Sequence, residues 1–137
     1  MIVVVIIGLL AAIAIPAFAR VRENSQISAF ASDLRTGRDA FEIYVMENGV
    51  WPNDGSAGMP PVMREYLNMD KFSGPTPLGG RWDWDSNVFG FTAGLSVDQP
   101  TADLNTMLRV DRKIDDGNLA SGSFRARSGG YIWVLEL

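Results

Sequence analysis

The N-terminal end of the chain is continuously apolar. From Met1 to Ala19 there is no charged or strongly polar side chain, and the first charge is that of Arg20. A helix over this stretch would be about 28 Å long at about 1.5 Å per residue, close to the hydrocarbon thickness of a bilayer, about 30 Å. A helix that is apolar on every side is not typical of a protein surface. The pattern therefore predicts a helix that spans a membrane.

Small residues and a proline lie within this apolar stretch. Gly8, Ala11 and Ala12 form a small-residue face that allows a second helix to approach closely. Pro16 lacks a backbone N–H and crowds the preceding turn, so we expect a kink or a loosened turn there. These four residues are the candidates for helix packing and assembly. An ordinary lipid-facing anchor with incidental small residues is the alternative, and periodicity alone does not decide between the two.

A helical pattern continues beyond the apolar stretch. Large apolar side chains recur on one face at three- and four-residue spacings, at Ile27, Phe30, Leu34, Phe41 and Tyr44. The dipeptide Asn48–Gly49, followed by Pro52, is typical of a helix end. We predict one nearly continuous helix from about residue 1 to about residue 47, whose second half packs along one side of a domain.

The remaining residues, 49–137, have the pattern of a small α+β domain. A short helix is expected near Val62–Leu67 and another after Pro100. The predicted fold class is α+β, with a long N-terminal helix, transmembrane in its first half, packed on a small antiparallel sheet of about four strands. The segments that predict strands are 81–85, 88–91, 124–127 and 131–135.

The first predicted strand alternates tryptophan with aspartate. Trp82 and Trp84 therefore lie on one face of the sheet, and Asp83 and Asp85 lie on the other. We interpret the aspartate face as solvent-exposed. We expect Ser86–Asn87 to turn the chain into the next strand.

The composition excludes most kinds of small enzyme. The 137 residues include no cysteine and no histidine, which removes disulfides, thiolate nucleophiles and the commonest general base and metal ligand. No nucleophile elbow or phosphate-binding glycine loop occurs. The formal net charge is −4 and no basic block stands out, so a nucleic-acid partner is not expected. We expect neither a catalytic site nor an organic cofactor.

A group of oxygen-bearing side chains towards the C-terminus offers a candidate metal site. Asp111, Asp115, Asp116 and Asn118 form the densest such group, and carboxylate and amide oxygens are the ligands that calcium prefers. Asp116-Gly117-Asn118 is also an ordinary turn sequence. The turn is the preferred interpretation, and a calcium site is the alternative.

The N-terminal segment MIVVVIIGLLAAIAIPAFARVRENS, residues 1–25, resembles the signature helix of type IV pilins and type II secretion pseudopilins. Its most specific part is Gly8–Pro16, and the stretches Glu47–Pro52 and Pro77–Trp82 are similar to later parts of pseudopilins. The resemblance implies a long helix that carries a globular head of antiparallel sheet. It also implies that the protein is a structural subunit of a type IV pilus-like filament.

This resemblance divides the chain into two functional parts. Residues 1–22 are expected to form the transmembrane helix that becomes the filament core. Residues 23–137 are expected to form the pilin-like head, which includes the amphipathic second half of the long helix, residues 23–47.

The family further implies partners and a location. Such subunits wait in the inner membrane as single-pass proteins with the head in the periplasm, and then self-associate into a helical filament in the periplasm or at the cell surface. An inner-membrane assembly machinery, a prepilin peptidase and N-methylation are implied as well. Some secretion pseudopilins hold calcium in a loop near the C-terminal part of the sheet. The small head without a cysteine-bracketed loop favours a type II secretion pseudopilin over a surface type IV pilin.

The beginning of the chain departs from the family pattern. Family members start with a basic leader, a cleavage site and a segment resembling Phe-Thr-Leu-Ile-Glu, whereas this chain starts at Met1, where that segment should already have ended. We therefore expect the sequence to be a shortened form of a longer protein. Arg20 and Arg22, on the C-terminal side of the apolar stretch, would place the head in the cytoplasm, and a missing basic leader would reverse this.

Two functions of another class stay open on the sequence alone. One is a secreted binding module whose signal peptide ends at Ala17-Phe18-Ala19. The absence of a basic region, the length of the apolar stretch and the helix that continues beyond it count against this interpretation. The other is a membrane-tethered domain that does not polymerise.

Overall fold

One long helix dominates the structure, a computed structural model that describes residues 1–137. This helix, α1, runs from Ile2 to Asn48 and passes through Pro16 without interruption. Gly49 ends it in the left-handed conformation, with φ 75°, and its N–H donates to the carbonyl oxygen of Val45 at 2.7 Å. A glycine in this conformation is the commonest way to end a helix. The prediction of one nearly continuous helix is confirmed.

The rest of the chain forms a four-stranded antiparallel sheet and short helical segments. The elements after α1 are a 3₁₀ turn (Pro61–Glu65), α2 (Met69–Phe72), β1 (Arg81–Val88), β2 (Phe91–Asp98), α3 (Leu104–Ile114), β3 (Phe124–Arg127) and β4 (Gly130–Glu136). The strands lie in the order β1-β2-β4-β3, and the register of β2 against β4 shifts between Ala93 and Gly94. The predicted α+β class is therefore confirmed.

The turn between β1 and β2 lies further along the chain than the sequence suggested. Ser86 and Asn87 continue β1, and the two residues outside the strands are Phe89 and Gly90. Both have positive φ, 54° and 84°, which is the backbone conformation that tight hairpin turns require. The prediction of a turn at Ser86–Asn87 is wrong, and so is the strand predicted over 88–91, because β2 runs from Phe91 to Asp98.

Aromatic stacking joins the second half of α1 to β1. Phe30 stacks on Trp82 with ring centroids 5.0 Å apart, and Phe41 stacks on Trp84 at 3.9 Å. All four side chains are buried. Large aromatic side chains bury about 150–250 Å² each and dominate the energetics of protein cores. These two contacts therefore hold α1 and the sheet together as one unit.

The apolar face predicted on α1 is the face that packs on the sheet. Gly37 lies where the helix comes closest to β2, since a Cβ atom there would lie 2.5 Å from Leu95 Cδ2. A side chain at this position would push the helix away from the sheet. The predicted apolar residues are buried at Ile27, Phe30, Leu34 and Phe41 and half-buried at Tyr44.

The opposite face of the sheet carries a covered ionic cluster rather than a solvated surface. The side chain of Arg127 is only 3% exposed, and its guanidinium lies 2.9 Å from Asp85, 3.4 Å from Asp83 and 3.5 Å from Asp98. The ring of Phe89 covers it, 4.6 Å from Cζ to the ring centroid. Burial raises the pKa of both Asp83 and Asp85, and Arg127 opposes the rise. The prediction of an exposed aspartate face is therefore wrong.

Candidate functional site

The first half of α1 has no contact partner within the chain. The helix contains one stretch that is long and apolar enough to cross a membrane, and none of that stretch is buried. The large apolar side chains from Met1 to Phe18 are at least 51% exposed. A free-standing apolar surface of this length is unfavourable in water, because apolar area is stabilised by removal from water. Something outside the chain must cover it.

The four residues predicted to pack helices lie in this exposed stretch. Gly8, Ala11, Ala12 and Pro16 are all exposed, and a Cβ atom at Gly8 would meet nothing within 4 Å. Gly8, Ala12 and Pro16 are spaced by four residues, so they lie on the same side of α1. The face is therefore available to a partner helix. Its role in packing stays a prediction.

Three of the four predicted metal-ligating residues come together at the end of α3. Asp111 lies in the last turns of the helix, and Asp115 and Asp116 follow it. Carboxylate oxygens of these three residues lie within 4.8 Å of one another. We call this group the acidic cluster. Asn118 is used differently, because its side-chain oxygen accepts a hydrogen bond from the Ala120 N–H at 3.1 Å.

Asp111 is the unusual member of the acidic cluster. It is 0% exposed, and neither of its carboxylate oxygens has a hydrogen-bond partner. Burial, together with the neighbouring charges of Asp115 and Asp116, raises its pKa to about 6. The nearby amides of Asn118 and Gly117 oppose the rise without forming a hydrogen bond to it. An unpaired buried carboxylate is costly unless it is protonated or bound to a cation.

The loop from α3 to β3 positions the other two carboxylates. Asp115 Oδ2 accepts hydrogen bonds from the N–H groups of Ser123, at 2.5 Å, and Phe124, at 2.9 Å. Asp116 Oδ2 accepts one from the Ser121 hydroxyl at 2.6 Å. Neither serine was among the residues predicted for this site. Their position in Ser-Gly-Ser, just after the acidic residues, is the pattern that marks such a loop.

The comparisons with known proteins found no relative of this chain. A scan against protein-family models, a search of curated proteins and a search of solved structures gave no match. The architecture rests on the structure itself: a long N-terminal apolar helix packed on a small antiparallel sheet. This arrangement is compatible with a pilin-like subunit.

The raised pKa of Asp111 gives a prediction for metal-free protein. The folded chain should bind a proton at Asp111 near pH 6, and the unfolded chain only near the ordinary value of 3.8. The unfolding free energy should therefore increase as the pH falls from about 7 to about 5, with a contribution from Asp111 on the order of 1 kcal/mol. Denaturant unfolding of the full chain in neutral detergent with a chelator, followed by tryptophan fluorescence, measures it.

The matched control for this experiment is a second aspartate-to-asparagine change. Asp111→Asn should lose that part of the pH dependence, and Asp70→Asn, at an exposed position, should retain it. Equal pH dependence in Asp111→Asn and the unchanged protein would contradict the assignment.

Proposed function

We propose that this protein is a structural subunit of a type IV pilus-like filament, assembled from the inner membrane as a type II secretion pseudopilin. The observation that carries the proposal is the division of α1 into two halves. The head buries one face of the second half and leaves the first half, from Ile2 to Ala19, without cover. A bilayer first covers this half, and the same halves of neighbouring subunits cover it in the filament.

The small residues of α1 support helix packing in addition to membrane anchoring. Gly8 and Ala12, one turn apart, allow two helix backbones to approach closely. Contacts of this kind between different surfaces of successive subunits do not close into a ring, and they generate a helical filament. Pro16 leaves the carbonyl oxygen four residues earlier without its usual partner, so the helix can adapt at that turn when it changes surroundings.

The remaining parts of the proposal rest on the resemblance of the N-terminal segment. They are a periplasmic head, N-methylation after cleavage by a prepilin peptidase, and an inner-membrane machinery that moves the subunit into the filament. The role is one of assembly rather than catalysis. A surface type IV pilin uses the same helix and head, and the location of the filament distinguishes it from a secretion pseudopilin.

Two identical substitutions on different sides of α1 test filament formation. Ala12→Ile places a large side chain on the small-residue face, and Ala17→Ile places one about 140° away around the helix, at 100° per residue. We expect Ala12→Ile to reduce filaments strongly on overexpression, because it separates the helix backbones, and Ala17→Ile to leave them nearly unchanged. Electron microscopy counts the filaments, and a photo-crosslinking side chain in place of Ile13 reports neighbouring copies in the membrane.

The alternatives give different results in this experiment. A ladder of crosslinked multimers that is lost in Ala12→Ile supports the filament. Monomers alone, without filaments, would indicate a membrane-tethered domain. A mature chain that begins near Arg20, identified by mass spectrometry, would indicate a secreted module, and either result would overturn the proposal.

The acidic cluster is proposed to hold a calcium ion that stabilises the head. Calcium takes about six to eight oxygen ligands, and Asp111, Asp115 and Asp116 offer carboxylates already close together. The unpaired, buried carboxylate of Asp111 is the observation that favours a cation over a plain turn. Bound calcium would neutralise this charge. Asp115 and Asp116 would link the ion to the loop that leads into β3.

Calcium should raise the unfolding temperature of the head in the full chain. The stabilisation is about 2.7 kcal/mol when free calcium is about 100 times its dissociation constant. Asp111→Asn should abolish this response, whereas Asp70→Asn should not change it. Differential scanning fluorimetry with calcium, with magnesium and with a chelator measures the effect. Identical unfolding temperatures with calcium and with chelator would mean that protonation alone neutralises Asp111.

A further inference from the structure

A basic groove lies between α1 and α3, on the side of the head nearest the apolar segment. It is lined by Asn24, Ile27, Ser28, Arg109, Arg112 and Lys113 and has a volume of about 520 Å³. The volume is within the range of sites that bind small molecules, about 300–1,000 Å³. We call it the basic groove. None of its lining residues belongs to the acidic cluster.

Contacts with α1 fix the height of the basic groove along the helix. Arg109 donates to the side-chain oxygen of Asn24, and Lys113 Nζ donates to Ser28 Oγ at 3.1 Å. Asn24 is five residues beyond Ala19, the last residue of the apolar segment, which corresponds to about 7.5 Å along the helix. The polar headgroup layer on each side of a bilayer is about 5–8 Å thick. If residues 2–19 span the bilayer, the groove begins at the level of the headgroups.

The charge around the basic groove is positive. Arg20 and Arg22 are exposed on α1 just below it, and neither has a carboxylate within 4 Å. Arg112 and Lys113 on α3 are also exposed, and they too have no carboxylate within 4 Å. The fifth cation, Arg109, is paired with an acidic residue.

The acidic groups near the basic groove are already engaged within the fold. Glu23 pairs with Arg109 at 2.7 Å and accepts a hydrogen bond from the Thr106 hydroxyl. Asp103 caps α3 by accepting from the Thr106 N–H at 2.8 Å. Asp115 and Asp116 lie beyond the C-terminal end of α3 and bond to their own loop, and the carboxylate of Asp111 is buried in the acidic cluster. Four cations therefore remain without a carboxylate partner.

The first residue of α3 adds an apolar contact at the same level. Leu104 is 60% exposed. Leu104 lies two residues before Thr106, whose hydroxyl donates a hydrogen bond to Glu23 on α1. Because Glu23 lies just beyond the apolar segment, Leu104 is near the level at which that segment ends. An exposed leucine beside several cations is typical of a surface that rests on a membrane interface.

We propose that the basic groove, with Arg20 and Arg22, binds the phosphate of anionic phospholipid headgroups and so holds the head upright on the bilayer. The inference rests on the membrane anchor proposed above. An anionic membrane surface attracts each nearby Lys or Arg, and arginine matches phosphate with paired donors. A head attached through both α1 and α3 cannot tilt freely with α1 in the bilayer. The assembly machinery would then receive the subunit in one orientation.

The two lysines of the chain provide an internal control for this proposal. Lys113 lies in the basic groove, and Lys71, the only other lysine, pairs with Asp33 higher on α1. The full chain is incorporated into vesicles of phosphatidylcholine alone or of phosphatidylcholine mixed with phosphatidylglycerol. A membrane-impermeant amine reagent then labels the lysines, and mass spectrometry gives the ratio of labelling at Lys113 to that at Lys71.

We expect the ratio to fall at least about three-fold in the phosphatidylglycerol vesicles. The reagent reacts with the neutral form of the lysine amine. A surface potential of about −30 mV alone reduces the neutral fraction of Lys113 by about that factor, because it attracts protons, and contact with phosphate reduces this fraction further. High salt should reverse most of the effect. Arg112→Gln should reduce the protection. Arg64→Gln, which changes an exposed arginine of the 3₁₀ turn that packs near the far end of α1, should leave the protection unchanged.

Other outcomes overturn the inference in distinguishable ways. Flotation in a density gradient shows whether the protein is associated with the vesicles. Protein that does not float with either kind of vesicle contradicts the membrane anchor itself. Protein that floats with both kinds and shows the same Lys113-to-Lys71 labelling ratio in both contradicts only the headgroup site. Protection by inorganic phosphate in neutral detergent, without protection by phosphatidylglycerol, would assign the groove to a soluble phosphate. Protection in pure phosphatidylcholine that grows with protein density would assign it to an acidic surface of a second copy.

Discussion

Because α1 is one unbroken helix, whatever covers its first half is joined to the head through continuous helical backbone. The apolar side chains from Ile2 to Ala19 cannot stay in water, and the head covers none of them. The stacked pairs between α1 and β1 fix the second half of the helix to the sheet. Any lipid or helix that packs on the first half therefore also sets the position of the head. This constraint makes the long helix suitable for building an ordered assembly.

The short helix α3 connects the regions to which we assign roles. Its buried side carries Met107 and Val110 into the core and presents Asp111 to the acidic cluster. Its exposed side carries the basic groove and contacts α1 just above the apolar segment. A cation at the acidic cluster would stabilise the C-terminal end of α3, and headgroups would engage its length. On these proposals, one element would link the stability of the head to its orientation on the membrane.

Local patterns in the sequence were enough to predict α1 and the fold class, but they predicted neither the extent of β2 nor the polar contacts across the sheet. The extent of α1 follows from side chains three or four residues apart and from Gly49, which are all local features. The ionic cluster around Arg127 requires a side chain of β3 to reach across two strands to Asp85 on β1, and no local pattern contains that information. Alternation alone therefore suggested an exposed face.

The candidate site divides in the same way. The sequence grouped Asp111, Asp115 and Asp116 by their short separation along the chain, and their carboxylates do lie close together. The complete burial of Asp111 depends on how α3 packs on the rest of the head. The hydrogen bond that engages the side chain of Asn118 depends on the path of the loop after α3. Neither property follows from spacing. The basic groove, too, required the contacts between α1 and α3 before its lining could be recognised.

The measurement that tests the central claim most directly is the accessibility of single introduced cysteines in native membranes. The chain has no cysteine of its own, so labelling by an impermeant maleimide reports only the introduced side chain. Ile13→Cys, in the apolar half of α1, should stay unlabelled until the membrane is dissolved, and Ser25→Cys, exposed just beyond it, should be labelled from the periplasmic side. Rapid labelling of Ile13→Cys in intact membranes would contradict the account, because the first half of α1 would then lie in water.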